Sequence, residues 1–309
     1  MASTGSPRRA RVDTFFTCQH ADQFRIDWRT FYQRAEARTD AVRGRWRHEL
    51  DVAYGPGEYH RLDLYLPVAA SDTAARPDRP RWPVFLFLHG GGFREGDPTL
   101  YGYLAEPYLE LGIAFASVGY RLTPECYLPE TILDVEDALR WCVGNLPTRG
   151  IDVDRLALSG HSAGAILTAH LATRDTWQAL HGLPSDVIKA AVPVSGIYDF
   201  TDVSERHELF RTDADRAPAS PLLQMSGTPR PMLVAYGGDE NQPTYAVDSR
   251  RLVDAVRERG ARADLLELEG LTHADTADAL GDASSQLFQA SLALFADVGL
   301  LAPRAPLGR

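Results

Sequence analysis

The stretch "LSGHSAGAIL", residues 158–167, places Ser162 between two glycines, each two residues away. The serine follows the apolar, strand-like run "RLALS" and precedes "AGAILTAHLAT", a run of small residues that suits a helix. A sharp strand-to-helix turn exposes a serine at the end of a sheet, and flanking glycines let the two backbones approach closely. The pattern therefore predicts that Ser162 is a nucleophile. A small buried serine at the start of a helix would give the same short motif.

Apolar, β-rich runs alternate with helical patterns on both sides of this turn, which indicates an α/β fold with a mostly parallel sheet. We predict about eight strands, with helices on both faces of the sheet and a small helical cap. The candidate strands lie at residues 48–54, 61–67, 83–89, 113–118, 155–159, 190–195, 231–237 and 263–269. Candidate helices lie at residues 130–145, 244–259 and 283–299.

The first two candidate strands alternate like an exposed antiparallel pair. Leu62, Leu64 and Leu66 would face one side of the sheet, and Asp63 and Tyr65 the other. A Gly-Pro-Gly sequence between the two strands predicts a turn. The later strands are almost continuously apolar, which is typical of strands covered by helices on both faces.

The chain has 309 residues, enough for one large α/β domain, which we predict over residues 46–300. Residues 1–45 are expected to form an N-terminal cap or arm. Residues 201–230 interrupt the alternation with several prolines and mixed charges, so we interpret them as a cap insertion over the carboxyl ends of the strands. Residues 301–309 are expected to be a flexible tail.

Composition and charge limit the classes of partner. With 44% hydrophobic and 24% charged residues, the chain resembles an ordinary water-soluble globular protein. The net charge of −10 argues against nucleic-acid binding, which needs a basic surface. No segment reaches the ~18 apolar residues of a membrane helix, and no export signal is recognisable, so we expect a cytoplasmic protein without membrane insertion. Composition and charge neither favour nor exclude a homodimer.

A glycine-rich loop, "FLHGGGFREG", follows the third candidate strand. Backbone amides of such a loop can point at the oxyanion that forms when a carbonyl compound is hydrolysed, where side chains would obstruct. We expect the amides of Gly91, Gly92 and Ala163 to form this oxyanion hole. His89 is interpreted as a brace for the loop, while Phe93 and His161 are expected in the substrate pocket.

An acid and a base follow in the order usual for this kind of sheet, serine first, then acid, then histidine. After a late strand comes "VAYGGDENQP", which offers Asp239 and Glu240, and after the last strand comes "LEGLTHADTADAL", which offers His273. His273 is the only histidine beyond His207, so it is the predicted base. Glu240 is preferred as the acid, because this acid usually stands three residues after the strand-ending glycine. Asp239 is the alternative.

Metal and cofactor motifs are not found in the sequence. No CxxC or HExxH motif occurs, and the remaining histidines lack the spacing of metal ligands. The three cysteines are far apart and odd in number, which does not favour a disulfide framework. We predict neither a metal nor an organic cofactor.

Beyond these motifs, the chain resembles the α/β-hydrolase superfamily, in its HGGG-type branch of hormone-sensitive-lipase-like carboxylesterases and kynurenine formamidases. The resemblance rests on "YGPGEYHRLDLYLP", "HGGGF", "VGYRLTPE", "ILDVEDALRW", "IDVDRLALSGHSAG", "SGIYDF", "SPLL" and "HADTADAL". It implies a triad of Ser162, an acid and His273, a two-part oxyanion hole and a cap built partly from the N-terminal segment.

The matching motifs resemble two different groups of hydrolases, so the resemblance does not identify a substrate. "YGPGEYHRLDLYLP", "SGIYDF" and "HADTADAL" look like arylformamidases, whereas "HGGGF" and "YRLTPE" look like carboxylesterases. The leading hypothesis is a serine hydrolase that cleaves an ester of a small or medium acyl group through an acyl-enzyme. The alternatives are an arylformamidase acting on an N-formyl aromatic amide, and a non-catalytic relative that binds a small molecule.

Overall fold

The computed structural model describes residues 27–69, 81–203, 207–240 and 242–301. Of the predicted N-terminal arm, residues 1–26 lie outside the described residues. So does the predicted tail, except for residue 301.

The eight predicted strands form one sheet, in the order β1-β2-β4-β3-β5-β6-β7-β8. β2 runs antiparallel to β1 and β4, and the other neighbours run parallel to each other. The mostly parallel α/β sheet predicted from the alternation is confirmed. The strands are β1 Trp46–Ala53, β2 Arg61–Ala69, β3 Trp82–Leu88, β4 Ala114–Val118, β5 Ile151–His161, β6 Ala190–Val194, β7 Met232–Gly237 and β8 Ala263–Leu268.

Helices pack on both faces of this sheet. One face is covered mainly by α1, α2 and α8, and the other by α3, α4 and α6. The helices are α1 Trp28–Arg45, α2 Glu106–Glu110, α3 Leu128–Asn145, α4 Ala163–Thr173, α5 Thr176–Leu180, α6 Thr244–Glu258, α7 His273–Ala279 and α8 Gln286–Asp297. None of the described helices is both long and apolar enough to cross a membrane.

Helix α8 begins three residues later than predicted because of its cap. The Ser285 hydroxyl accepts a hydrogen bond from the Phe288 amide at 3.0 Å, which satisfies one of the free N–H groups at the start of the helix. The preceding residues 283–284 therefore belong to the connection rather than to the helix.

The second strand is not exposed as its alternation suggested. Asp63 and Tyr65 of β2 are fully buried, because α1 covers their side of the sheet. The Asp63 carboxylate is compensated there by the Asp51 amide, which donates to it at 2.8 Å, and by the Arg43 guanidinium of α1 at 3.6 Å. Period-two alternation showed the two faces of the strand correctly but not that a helix would cover the polar one.

The segment predicted as a cap insertion contains three short 3₁₀ helices, His207–Leu209, Asp213–Asp215 and Pro221–Leu223. Residues 204–206 of this segment lie outside the described residues. Leu209 and Phe210 are buried, and the Phe210 ring packs edge-on against Phe200 at 5.3 Å. The role of this segment as a cap stays a prediction.

Candidate active site

Ser162 occupies the one-residue turn between β5 and α4. Its backbone has φ 55° and ψ −114°, a conformation that is strained for a residue with a side chain. The Ser162 amide is held by the Val194 carbonyl of β6 at 2.8 Å. Strain that is stabilised by a neighbouring strand is typical of a nucleophile turn, in which the hydroxyl is presented above the sheet.

Both glycines of the serine motif are required by close packing. A Cβ at Gly160 would overlap the carbonyl of Gly164, and a Cβ at Gly164 would overlap the carbonyl of Leu88 in β3. The start of α4 is therefore seated directly on the ends of β5 and β3. Any side chain at these two positions would push the helix away and displace Ser162.

The three-glycine loop after β3 lies against the serine. A Cβ built on Gly90 would be 3.3 Å from the Ser162 Cβ, and the loop turns at Gly91, which has φ 118°. Among the described turns and loops, no backbone carbonyl accepts a hydrogen bond from the amides of Gly91, Gly92 or Ala163. These N–H groups therefore remain available for an anion. Gly92 and Ala163 line a cavity with Ser162, whereas Gly91 is not in its lining.

The loop is braced by three contacts of its residues His89 and Glu95. The His89 ring stacks on Tyr120 at 4.3 Å and its Nδ1 donates to the Gly90 carbonyl at 2.8 Å. The buried Glu95 carboxylate accepts a hydrogen bond from the Tyr32 hydroxyl of α1 at 2.7 Å. The bracing role of His89 was expected. The contribution of α1 was not, since no local pattern connects Tyr32 with a residue 63 positions away.

The structure brings His273 and Glu240 together. His273 Nδ1 lies 2.9 Å from Glu240 Oε1, and the two side chains are only 3% and 2% exposed. Because Glu240 accepts at Nδ1, the Nε2 of the ring is left as the proton acceptor. Asp239, the alternative acid, is exposed, and its amide is bound to the Leu271 carbonyl at 3.1 Å.

Burial raises the pKa of Glu240 from its ordinary value of 4.5 to about 7. The Ser195 hydroxyl, the His161 ring and the Gly237 amide oppose this rise. Among the described residues, Glu240 Oε2 has no hydrogen-bond partner. The carboxylate is therefore poorly solvated, and its charge is most favourable when a positive imidazolium stands beside it.

His161 lies behind the serine rather than in the lining of the cavity. Its buried ring places Nε2 2.8 Å from the carbonyl of His273, and the rings of the two histidines are 4.6 Å apart. Burial, assisted by repulsion from His273, lowers the pKa of His161 to about 3, so the ring is neutral. Of the two residues expected in the substrate pocket, only Phe93 lines the cavity.

The cavity beside Ser162 is small and mostly apolar. About 20 Å³ of it is open to the centre of a water molecule, little more than one water needs. Its lining consists of Gly92, Phe93, Ser162, Ala163, Ile166, Ile197, Phe200, Leu209 and Tyr245. The Tyr245 ring also stacks on His273 at 4.8 Å, which joins the cavity to the histidine–glutamate pair.

Two wall residues of the cavity come from the "SGIYDF" stretch, whose position depends on a buried carboxylate. Asp248 of α6 accepts the amides of Tyr198 and Asp199 at 2.7 and 3.0 Å. This anchor fixes the loop between Ile197 and Phe200. The stretch stands out in the sequence as a shared motif, but nothing in its pattern predicts that it lines the cavity.

No group of three or more histidine, cysteine, aspartate or glutamate side chains in the described ranges is placed to hold a metal ion. Cys126 and Cys142 are buried as free thiols, and Cys18 lies outside the described residues.

Known proteins resemble this chain in sequence and in fold. Esterase LipQ of Mycobacterium tuberculosis is 29% identical over 246 residues, which cover 72% of this chain and 56% of that protein. Kynurenine formamidase of Salmo salar is 28% identical over 260 residues, which cover 81% and 83%. The chain thus spans little more than half of the mycobacterial esterase but most of the fish formamidase.

Among solved structures, esterase B from Lactobacillus rhamnosis is similar with a TM-score of 0.70, covering 95% of this chain and 96% of that one. Its sequence is only 18% identical, so this likeness concerns the fold alone. The sequence pattern of the alpha/beta hydrolase fold family matches residues 85–276. These residues make up more than half of the chain and run from β3 into α7, so they include the three-glycine loop, the serine turn and His273. The chain therefore belongs to the alpha/beta hydrolase fold family.

Proposed function

We propose that the protein is a serine hydrolase that cleaves a carboxylic ester of a small acyl group through an acyl-enzyme. The observation that carries the proposal is the cavity lined by Ser162, Gly92, Ala163 and Tyr245, the last of which stacks its ring on His273. In this proposal Ser162 is the nucleophile, the amides of Gly92 and Ala163 are the oxyanion donors, and His273 with Glu240 is the base–acid pair beside the cavity.

The proposed reaction begins when Ser162 Oγ attacks the carbonyl carbon of the substrate. His273 Nε2 takes the hydroxyl proton, and Glu240 holds the ring in the required tautomer and stabilises the imidazolium. The amides of Gly92 and Ala163, with that of Gly91 beside them, stabilise the oxyanion. His273 then protonates the leaving oxygen, the acyl group stays on Ser162, and a water activated by His273 releases it as the acid.

The second candidate is an arylformamidase. It is favoured by the similarity to a kynurenine formamidase that covers most of both chains, and by the small cavity, which suits a formyl group. The chemistry is the same, except that the leaving atom is the nitrogen of an aromatic amine, which His273 protonates. The two candidates differ in the leaving group that the site binds. They are therefore distinguished by comparing rates on ester and formamide substrates.

The test compares kcat/KM for p-nitrophenyl acetate, butyrate and octanoate with that for N-formylkynurenine. We expect acetate to exceed octanoate by at least about tenfold, since each methylene that does not fit costs about 1 kcal/mol or more. In Ile197→Ala, which enlarges the cavity, the octanoate-to-acetate ratio should rise about fivefold.

Ile188→Ala is the matched control, because Ile188 is also buried but lies outside the cavity lining. That variant should leave the ratio unchanged. An N-formylkynurenine value above the best ester would favour the arylformamidase. If the wild-type rate did not exceed that of Ser162→Ala on any of these substrates, the hypothesis of a non-catalytic binding protein would remain.

A further inference from the structure

His161 connects the serine turn directly with the helix that carries His273. It is the last residue of β5, paired with Val194 of β6, and it directly precedes Ser162. Its ring reaches the first turn of α7, 112 residues further on, where Nε2 lies 2.8 Å from the carbonyl of His273. One side chain therefore joins the neighbour of the nucleophile to the residue that carries the base.

The contact has a fixed direction. A carbonyl only accepts, so His161 Nε2 must carry the hydrogen and Nδ1 must not, which defines one neutral tautomer. The Thr276 hydroxyl donates to the same carbonyl at 2.9 Å and lies 3.2 Å from His161 Nε2. Ser195 Oγ lies 3.0 Å from Thr276 Oγ1 and completes the chain of hydrogen bonds.

The two elements are held by different contacts. Ser162 is fixed by β5, β6 and the packed start of α4. His273 instead begins a helix of seven residues after the loop that leaves β8, and its capping contacts come from its own helix, through Thr272 and Asp275. The hydrogen bond from His161 is a direct tie between this short helix and the serine turn.

On the basis of the proposed function, we infer that His161 is a positioning residue that sets the distance between Ser162 and His273. It touches neither substrate nor the reacting atoms. It acts by holding the backbone of His273 against the end of β5, so that the base stays within reach of the hydroxyl. A misplacement of about 1 Å in such a pair lowers a rate by up to about 10²-fold.

The test uses two substitutions at this position. His161→Leu removes the donor, and we expect kcat to fall about 10- to 100-fold while KM changes less than about threefold. In His161→Gln the side-chain amide places a donor near the position of Nε2, so kcat should stay within about threefold of wild type. Rates are measured on p-nitrophenyl acetate and divided by the number of sites that react with a fluorophosphonate.

His170→Leu is the matched control. His170 is also buried and neutral, and its Nε2 donates to the Ala219 carbonyl at 2.8 Å, outside the site. Its loss should lower the melting temperature comparably but leave kcat per reactive site unchanged. Should His161→Leu not fold, His161→Asn replaces it, because the shorter amide does not reach His273 and should give the same loss.

An unchanged kcat in His161→Leu or His161→Asn, or equal losses in the Gln and Leu variants, would overturn the inference. Failure of the proposed function itself has a different signature. In that case the wild-type protein is no more active than Ser162→Ala, and no variant at position 161 has a rate to lose.

Discussion

Ser162→Ala lowers kcat for p-nitrophenyl acetate by about 10³-fold or more, because the acyl-enzyme no longer forms and only the oxyanion donors and binding remain. The pre-steady-state burst of p-nitrophenol disappears, and a fluorophosphonate probe no longer labels the protein. The substitution adds no strain, since alanine is smaller than serine at the same backbone conformation. Stopped-flow release of p-nitrophenol measures the burst and kcat, and the labelling is measured separately with the probe.

Ser284→Ala provides the control for this experiment. Ser284 is exposed on the connection before α8, where its hydroxyl donates to Asp282 at 2.7 Å. Its substitution should leave both the burst and the labelling intact. If Ser162→Ala kept more than about a tenth of the wild-type kcat, or kept the label, another residue would be the nucleophile.

Glu240→Gln lowers kcat about 10²- to 10⁴-fold, because glutamine offers His273 no charge and permits the wrong tautomer. The same substitution should make the protein more stable at pH 8. The pKa of Glu240 is about 7 in the folded protein and about 4.5 in the unfolded chain, so the folded state holds the proton more tightly between these values. The free energy of unfolding therefore falls as pH rises through this window.

Glutamine carries no charge, so the free energy of unfolding of this variant does not fall as the pH rises through the window. At pH 8 the free energy of unfolding should rise by about 1–3 kcal/mol, and the gain should shrink as pH falls toward 4.5. Urea unfolding of both proteins at pH 5 and pH 8 measures it. Asp239→Asn is the control, since that side chain is exposed, and should alter kcat less than about twofold. A large loss in Asp239→Asn with an active Glu240→Gln would reverse the assignment of the acid.

Alternation of apolar runs was sufficient to predict the strands and the mostly parallel sheet, because strands covered on both faces are apolar along their whole length. β5 was predicted too short, at 155–159 instead of Ile151–His161, since "IDVD" carries two aspartates at its start. The burial of Asp63 and Tyr65 was missed for another reason. It depends on α1, which precedes β1 in the chain and is not indicated by the alternation within β2 itself.

The residues proposed to react were named from motifs, as were Gly92, Phe93 and Ala163 of the cavity. The cavity residues Ile197, Phe200 and Tyr245 were not. Ser162 and His273 stand out by chain order and by the turn chemistry around them. Spacing favoured Glu240 over Asp239, but only the structure shows which carboxylate turns toward His273. The contacts of His161 with His273 and of Tyr32 with Glu95 join positions 112 and 63 residues apart, so no local pattern indicates them.

The central claim is that one hydroxyl, one imidazole and the loop amides act on the same carbonyl group. A crystal structure of the protein after reaction with a short alkyl phosphonate tests it most directly. The account predicts phosphorus bound to Ser162 Oγ, a phosphoryl oxygen about 3 Å from the amides of Gly92 and Ala163, and His273 Nε2 within hydrogen-bond reach of the serine oxygen. Phosphorus on another residue, or a phosphoryl oxygen turned away from both amides, would contradict it.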